Sequence, residues 1–273
     1  MEYEIKPAGK ARLNLSELWE YRELFYFFTW RDIKIKYKQT VFGVVWAVLQ
    51  PLTMMLVFTL FFGQLLGIKN SVHNIPYPIF VYSGLMLWNV FAGGLSNAAN
   101  SMVSNANIIN KIYFPRLIIP VSAILVPLFD FIIVLTIYFA LLLYYQYPVN
   151  WNIIINLPLG LLITLLTTFG LGSFISALNV KYRDFKYVVP FFIQLLFFIT
   201  PVIYPVSVIP YPWMKSLLSF NPMGGAIDLV RSSLMGTEVN LKVLAASCIS
   251  SVLLFIIGLV YFRRTEYYFA DLA

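Results

Sequence analysis

The sequence predicts an all-α, polytopic membrane protein with six transmembrane helices, and three observations carry that prediction. Mean hydropathy is +0.79 and 60% of the 273 residues are hydrophobic, while 11% are charged, against about 25% in ordinary soluble domains. Uncharged apolar runs long enough to cross a hydrocarbon core of about 30 Å recur along the chain. Lys and Arg gather in the short segments flanking those runs, as orientation in a membrane requires. The runs do not alternate with period two, which argues against an outer-membrane barrel. The formal charge of +7 therefore reads as membrane orientation, and nucleic acid is not an expected partner.

Residues 1–40 form the first region, a polar tail followed by an amphipathic helix. The tail is polar from Met1 to Arg12, which does not fit a cleavable signal peptide in its usual form. Asn14-Leu15-Ser16-Glu17 has the pattern of a capping box. Beyond it, Leu18, Trp19, Phe25, Phe28 and Trp30 face Glu20, Arg22, Glu23, Arg31 and Asp32. This stretch is too charged to span and too aromatic to be fully solvated. It is expected to lie in the cytoplasmic interface with its Trp residues at headgroup depth. Lys34, Lys36 and Lys38 close it with alternating positive charge, the strongest orientation signal in the chain.

The six-helix transmembrane region is expected over 41–262. Span one, about Val41 to Leu66, contains Pro51, which removes a backbone hydrogen bond and predicts a kink or local widening there. Span two, about Ile79 to Asn97, is the weakest by hydropathy; Gly84, Gly93, Gly94, Ala98 and Ala99 suit it to close packing. Asn97, Asn100, Asn105, Asn107 and Asn110 continue a polar face beyond it, either as helix-end caps or as a coupling segment.

Span three, about Leu117 to Tyr145, carries Asp130, a costly intramembrane acid expected to face the bundle interior. Because the other apolar runs hold no Lys, Arg or His, it is expected to be protonated or hydrogen-bonded to backbone freed by a proline. A structural role ranks ahead of a proton relay. Span four covers about Ile153 to Leu178 and span five about Tyr187 to Ile203. From Tyr204 to Leu241 the prolines, Trp213 and the i,i+3 pair Asp228 and Arg231 predict short re-entrant or interfacial helices at the outer mouth. Tyr204, Trp213, Asp228 and Arg231 are the candidate outer-gate residues. Span six runs from about Lys242 to Phe262, and 263–273 is a C-terminal tail.

This topology puts 15 of the 19 Lys and Arg residues on one side, so both termini are expected to be cytoplasmic. No phosphate-binding loop, His-Glu-x-x-His or Gly-x-Ser-x-Gly motif appears, and Gly9-Lys10-Ala11 lacks the spacing of the first. The single cysteine, Cys248, excludes an intrachain disulfide or cysteine metal site, and the lone His73 in a loop reads as a surface residue. No catalytic residue, metal or cofactor is expected. Phe, Tyr and Trp make up 18% of the chain; most are belt and packing residues, and a fraction is suited to stacking on sugar faces along a path.

Three stretches carry a family resemblance. Tyr37-Lys38-Gln39-Thr40-Val41-Phe42-Gly43-Val44-Val45-Trp46-Ala47-Val48-Leu49-Gln50-Pro51-Leu52 resembles the first-span motif of the permeases of polysaccharide-exporting ABC transporters. Asn110-Lys111-Ile112-Tyr113-Phe114-Pro115-Arg116 and Thr200-Pro201-Val202-Ile203-Tyr204-Pro205, with Asn221-Pro222-Met223, match further motifs, one in each third of the chain. The resemblance implies a bacterial inner-membrane transport subunit, not an enzyme. It would work as a homodimer with two copies of a separate ATPase, moving a lipid-linked polysaccharide such as O-antigen, teichoic acid or capsule. It also implies that Asp32, Asn105, Asn107, Asn110 and Lys111 belong to a segment coupling to the ATPase. On the same resemblance Lys36, Lys38 and Arg116 sit where a polyprenyl pyrophosphate head would wait; the competing role is orientation and attraction of anionic membrane lipids. A drug or small-lipid exporter of the same fold is the nearer alternative. A membrane enzyme of glycoconjugate synthesis is the remoter one, because no acidic metal-binding motif appears in the loops.

Overall fold

The computed structural model describes residues 19–38, 43–67, 75–109, 111–182 and 184–266. The capping box, His73, Asn110, Gln39 to Phe42 of the first motif and the tail beyond Glu266 lie outside them. Within that set α1 spans Arg22–Lys38 and α2 spans Gly43–Phe58, continued by a π-helical turn over Thr59–Leu65. α3 covers Tyr77–Ser104, and the single-turn α4 covers Ala106–Ile109. α5 is Ile118–Tyr144, α6 Ile153–Lys181 and α7 Phe185–Ile199. After a 3₁₀ turn at Val206–Val208 come α8 (Pro212–Ser219), α9 (Pro222–Met235) and α10 (Leu241–Glu266).

Among the described residues, five helices are long and apolar enough to cross a membrane: α2 with its π turn, α3, α5, α6 and α10. The sixth expected span is α7, apolar but only 15 residues long. At 1.5 Å per residue it covers about 22 Å, short of a full hydrocarbon core. It ends at Thr200, whose backbone is extended (φ −78°, ψ 135°) as a residue before proline favours. Local widening occurs in α2 as expected, but at Thr59–Leu65 rather than at Pro51, around which the α-helix continues.

The helix with the lowest hydropathy of the five, α3, is also the most buried. Its small residues explain both properties, since they weaken the apolar signal and let neighbours approach. A Cβ on Gly94 would stand 2.6 Å from the Thr168 side chain of α6, and Ala98 and Ala99 are fully buried. The main core gathers α3 with α5, α6 and α9, including Phe80, Tyr82, Leu87, Phe91 and Tyr138. A second cluster joins α1 to one end of the bundle through Phe28, Met102, Phe114, Ile118 and Phe262. α6 and α10 meet backbone to backbone, so that a Cβ on Gly258 would fall 1.9 Å from the Gly170 carbonyl oxygen.

Helix alternation collects α1, α4, the starts of α5 and α7 and the ends of α3, α6 and α10 at one pole. Lys111, Arg116, Lys181, Lys186, Arg263 and Arg264 all belong to this basic pole. α8 and α9 belong to the opposite pole.

Candidate functional site

At the basic pole α1 is fastened along the first half of α5. Its Phe28 is 2% exposed and packs on Phe114, with ring centroids 5.9 Å apart. Two further contacts continue along α5: the Thr29 hydroxyl lies 3.5 Å from the Ser122 carbonyl oxygen, and Lys36 and Tyr37 both reach Asp130. Lys36 forms an ion pair with that carboxylate, and the Tyr37 hydroxyl donates to it. Burial, then the hydrogen bond and charge of Asp130, pushes the Tyr37 phenol above its ordinary value and keeps it a donor. The expectation for Asp130 is thereby corrected. Its partners are Lys36 and Tyr37 of α1 rather than a freed backbone group, because α1 runs beside α5.

Arg116 does not join this cluster. Its backbone amide donates to Glu266 Oε1 at 3.0 Å and its guanidinium to the Glu266 carbonyl, while Arg263 Nη1 bonds Glu266 Oε2 at 2.9 Å. The knot ties the start of α5 to the end of α10. Asp130 stands 14 residues beyond Arg116, mostly along α5, about 20 Å of helix rise away. Lys38 is exposed at the end of α1, and Asp32 pairs with Arg31 at 2.7 Å. Asn105 is buried, its amide donating to the Ser101 carbonyl at 2.8 Å as α3 ends. Asn107 and Lys111 are exposed on the turn that follows.

The opposite pole holds a buried cation. Arg231 on α9 is 4% exposed, and its guanidinium donates to the carbonyls of Pro201 (2.7 Å), Phe80 (3.0 Å) and Val202. It also lies 3.6 Å from the Phe80 ring centroid, a cation–π arrangement. Burial pulls it down from 12.5 to about 9, which leaves it cationic at neutral pH. The i,i+3 spacing to Asp228 is real, yet the guanidinium is given to two carbonyls at the Thr200-Pro201 break, those of Pro201 and Val202, and to the Phe80 carbonyl of α3. Asp228 lines a cavity of about 380 Å³ beside it, where desolvation raises its carboxyl and Arg231 opposes the shift.

The same knot joins two sequence motifs. Asn221 caps α9 by accepting from the Met223 and Gly224 amides, and its side-chain amide donates to Thr200 Oγ1 at 2.9 Å. Tyr77 of α3 donates to the Ile203 carbonyl at 2.6 Å. The Tyr204 hydroxyl donates to the last carbonyls of α7, Phe198 and Ile199, both at 3.0 Å, and burial raises its phenol. Trp213 on α8 is exposed.

Residues 23–235 match the membrane family described as ABC-2 type transporter. The chain belongs to that family. It is 29% identical to an O-antigen export system permease protein, RfbA, of Klebsiella pneumoniae over 96% of this chain and 98% of that protein. A protein of the same name from Myxococcus xanthus is 32% identical over 76% of this chain and 78% of its own length. The polysialic acid transport protein KpsM of Escherichia coli is 24% identical over 86% of this chain and 91% of that protein. In this ABC-2 chain, sequence reasoning missed Arg31, Tyr37, Tyr77 and Glu266. Tyr37 lies inside the Lys ladder and Arg31 just before it, and both could have been found there; nothing local marks Tyr77 or Glu266 as partners of distant motifs.

Proposed function

We propose that the chain is the transmembrane subunit of an ATP-driven exporter that moves a lipid-linked polysaccharide across a bacterial cytoplasmic membrane. The observation that carries this is an end-to-end match to O-antigen export permeases. The basic pole is cytoplasmic, by the excess of Lys and Arg there. A separate ATPase, in two copies, docks on the exposed turn that carries Asn107 and Lys111 and on α1, and two copies of this chain enclose the path. α8 and α9 cover the outer mouth.

The small-lipid alternative has no observation of its own in the structure, whereas the relatives' names speak for polymers. The test is replacement of an O-antigen permease in a bacterium that makes the lipid-linked polymer, together with the cognate ATPase. Surface polymer is expected to return, and the purified chain alone is expected to hydrolyse no ATP. Failure of polymer to reach the surface while both subunits assemble in the membrane would overturn the reading.

A further inference from the structure

At the pole opposite the basic one, the cavity of about 380 Å³ beside Arg231 lies between α9 and the chain that follows α7. Its two walls follow from the sequence. Gly224, Asp228, Arg231 and Met235 recur at helical spacing, so α9 presents them on one face. Opposite stand Pro201, Pro205 and Ser207, the last within the 3₁₀ turn at Val206–Val208. Gly224 leaves the space between them open, since a Cβ there would already stand 3.5 Å from the Pro201 ring.

We propose that this cavity is a saccharide site, in which one sugar of a polymer that has crossed is held through its hydroxyls by Asp228. That the sugar belongs to a polymer rests on the exporter reading; that the cavity takes a sugar rests on its own chemistry. The Asp228 side chain is exposed in the cavity, and among the described residues no group donates a hydrogen bond to its carboxylate. An ionised carboxylate only accepts, so its ligand must donate. Arg231 lies one turn along α9 and gives its N–H groups to the carbonyls of Pro201, Phe80 and Val202. Its charge opposes a cationic ligand, as that of Asp228 opposes an anionic one. A neutral ligand rich in hydroxyls meets both conditions. Ser207 and Thr237 line the same space with hydroxyls that donate and accept, and Pro201, Pro205 and Met235 offer an apolar wall for the C–H face of a sugar ring. The volume stands near the lower end of the range for small-molecule pockets, about 300–1,000 Å³, and so fits a short saccharide rather than a length of polymer.

A single carboxylate suits a ligand that must leave again. It supplies a weak and repeatable hold, because the next sugar along a polymer presents hydroxyls of the same kind. The cavity belongs to the pole opposite the proposed ATPase-facing turn, so a sugar held there is already on the far side. The site therefore detains the polymer between strokes and resists its return.

The test uses the full chain in lipid nanodiscs, with a repeat-unit oligosaccharide released from the polymer of the bacterium used for the replacement experiment. Ethanolamine serves as a small cationic probe. Binding is read by saturation-transfer NMR and titrated to a Kd. Asp228→Asn keeps the size of the side chain and removes its charge, and is expected to weaken the oligosaccharide about tenfold, the scale of one charge-assisted hydrogen bond. Ser207→Trp, at an exposed position of the 3₁₀ turn, fills the cavity and is expected to abolish binding. Ethanolamine is expected not to compete. Absence of binding to the wild-type chain, or unchanged binding in both variants, would overturn the site even where surface polymer returns to the host. Binding that depends on Asp228 in a chain that fails to restore surface polymer would uphold the saccharide site and overturn the export reading alone. Displacement of the oligosaccharide by ethanolamine would overturn the neutral ligand in favour of a cation site.

Discussion

At the scale of single residues, two charges explain more of this protein than any apolar contact. Arg231 is held by three carbonyls and an aromatic face, not by an acid. Arg231→Gln should leave several of those carbonyls unmet, costing about 1–3 kcal/mol for each buried polar group left without a partner. The expected result is a lowered thermal midpoint in detergent and loss of the monodisperse species. Asp228→Asn should keep the midpoint near wild type, because the guanidinium is not spent on that carboxylate; an equal loss would restore the ion-pair account. Sequence spacing made the two residues visible but not their partners. Two of the acceptors, Pro201 and Val202, are free because the chain breaks at Pro201, and a proline in sequence says where carbonyls are freed without saying which donor will come. Asp130 shows the same limit. Its lysine lies 94 residues earlier, in a segment read as interfacial, so a search confined to the apolar runs could not reach it.

At the scale of elements, packing reverses the ranking that hydropathy suggests. α3 is weak in hydropathy and central in space, because Gly and Ala reduce the one and permit the other. The small-residue pattern was legible in span two and correctly pointed to close packing. The crossing of α6 and α10 was not legible, since Gly170 and Gly258 sit singly in apolar runs and become informative only as a pair. A side chain at Gly258 has nowhere to go, its Cβ falling 1.9 Å from the Gly170 oxygen and 2.9 Å from the Gly170 Cα. Gly258→Val should force the helices apart and cost at least the 1–3 kcal/mol (roughly) typical of overpacking. Gly93→Ala meets only Pro127 side-chain atoms, at 3.2 Å and beyond, and should be far better tolerated. Thermal midpoints of the two variants in the same detergent compare them directly; equal losses would mean that the α6–α10 approach is not limiting.

At the scale of the whole molecule, the short α7 and the buried Arg231 are one design. A helix of about 22 Å that enters at the basic pole ends before the far side of a 30 Å core. Its break is therefore expected within the membrane, where irregular chain is tolerated only if protein or a lined cavity satisfies it. Tyr77, Tyr204, Asn221 and Arg231 do so. α8 reaches about 12 Å and α9, of 14 residues, about 21 Å, close to α7. What separates α9 from α7 is charge, because a crossing at α9 would carry Arg263 and Arg264 away from the basic pole, so the chain between α7 and α10 is expected to return to the side it came from. A cysteine at Lys215 on α8 should thus react with a membrane-impermeant maleimide added from outside intact cells. One at Tyr113, 85% exposed at the basic pole, should react only after the membrane is opened. Both would be made in a Cys248→Ser background, since Cys248 is the only native thiol. Were α9 to cross instead, α10 would be inverted and a third cysteine at Arg264 would label from outside. Protection of Arg264 together with labelling at Lys215 is the pattern that an even number of crossings requires.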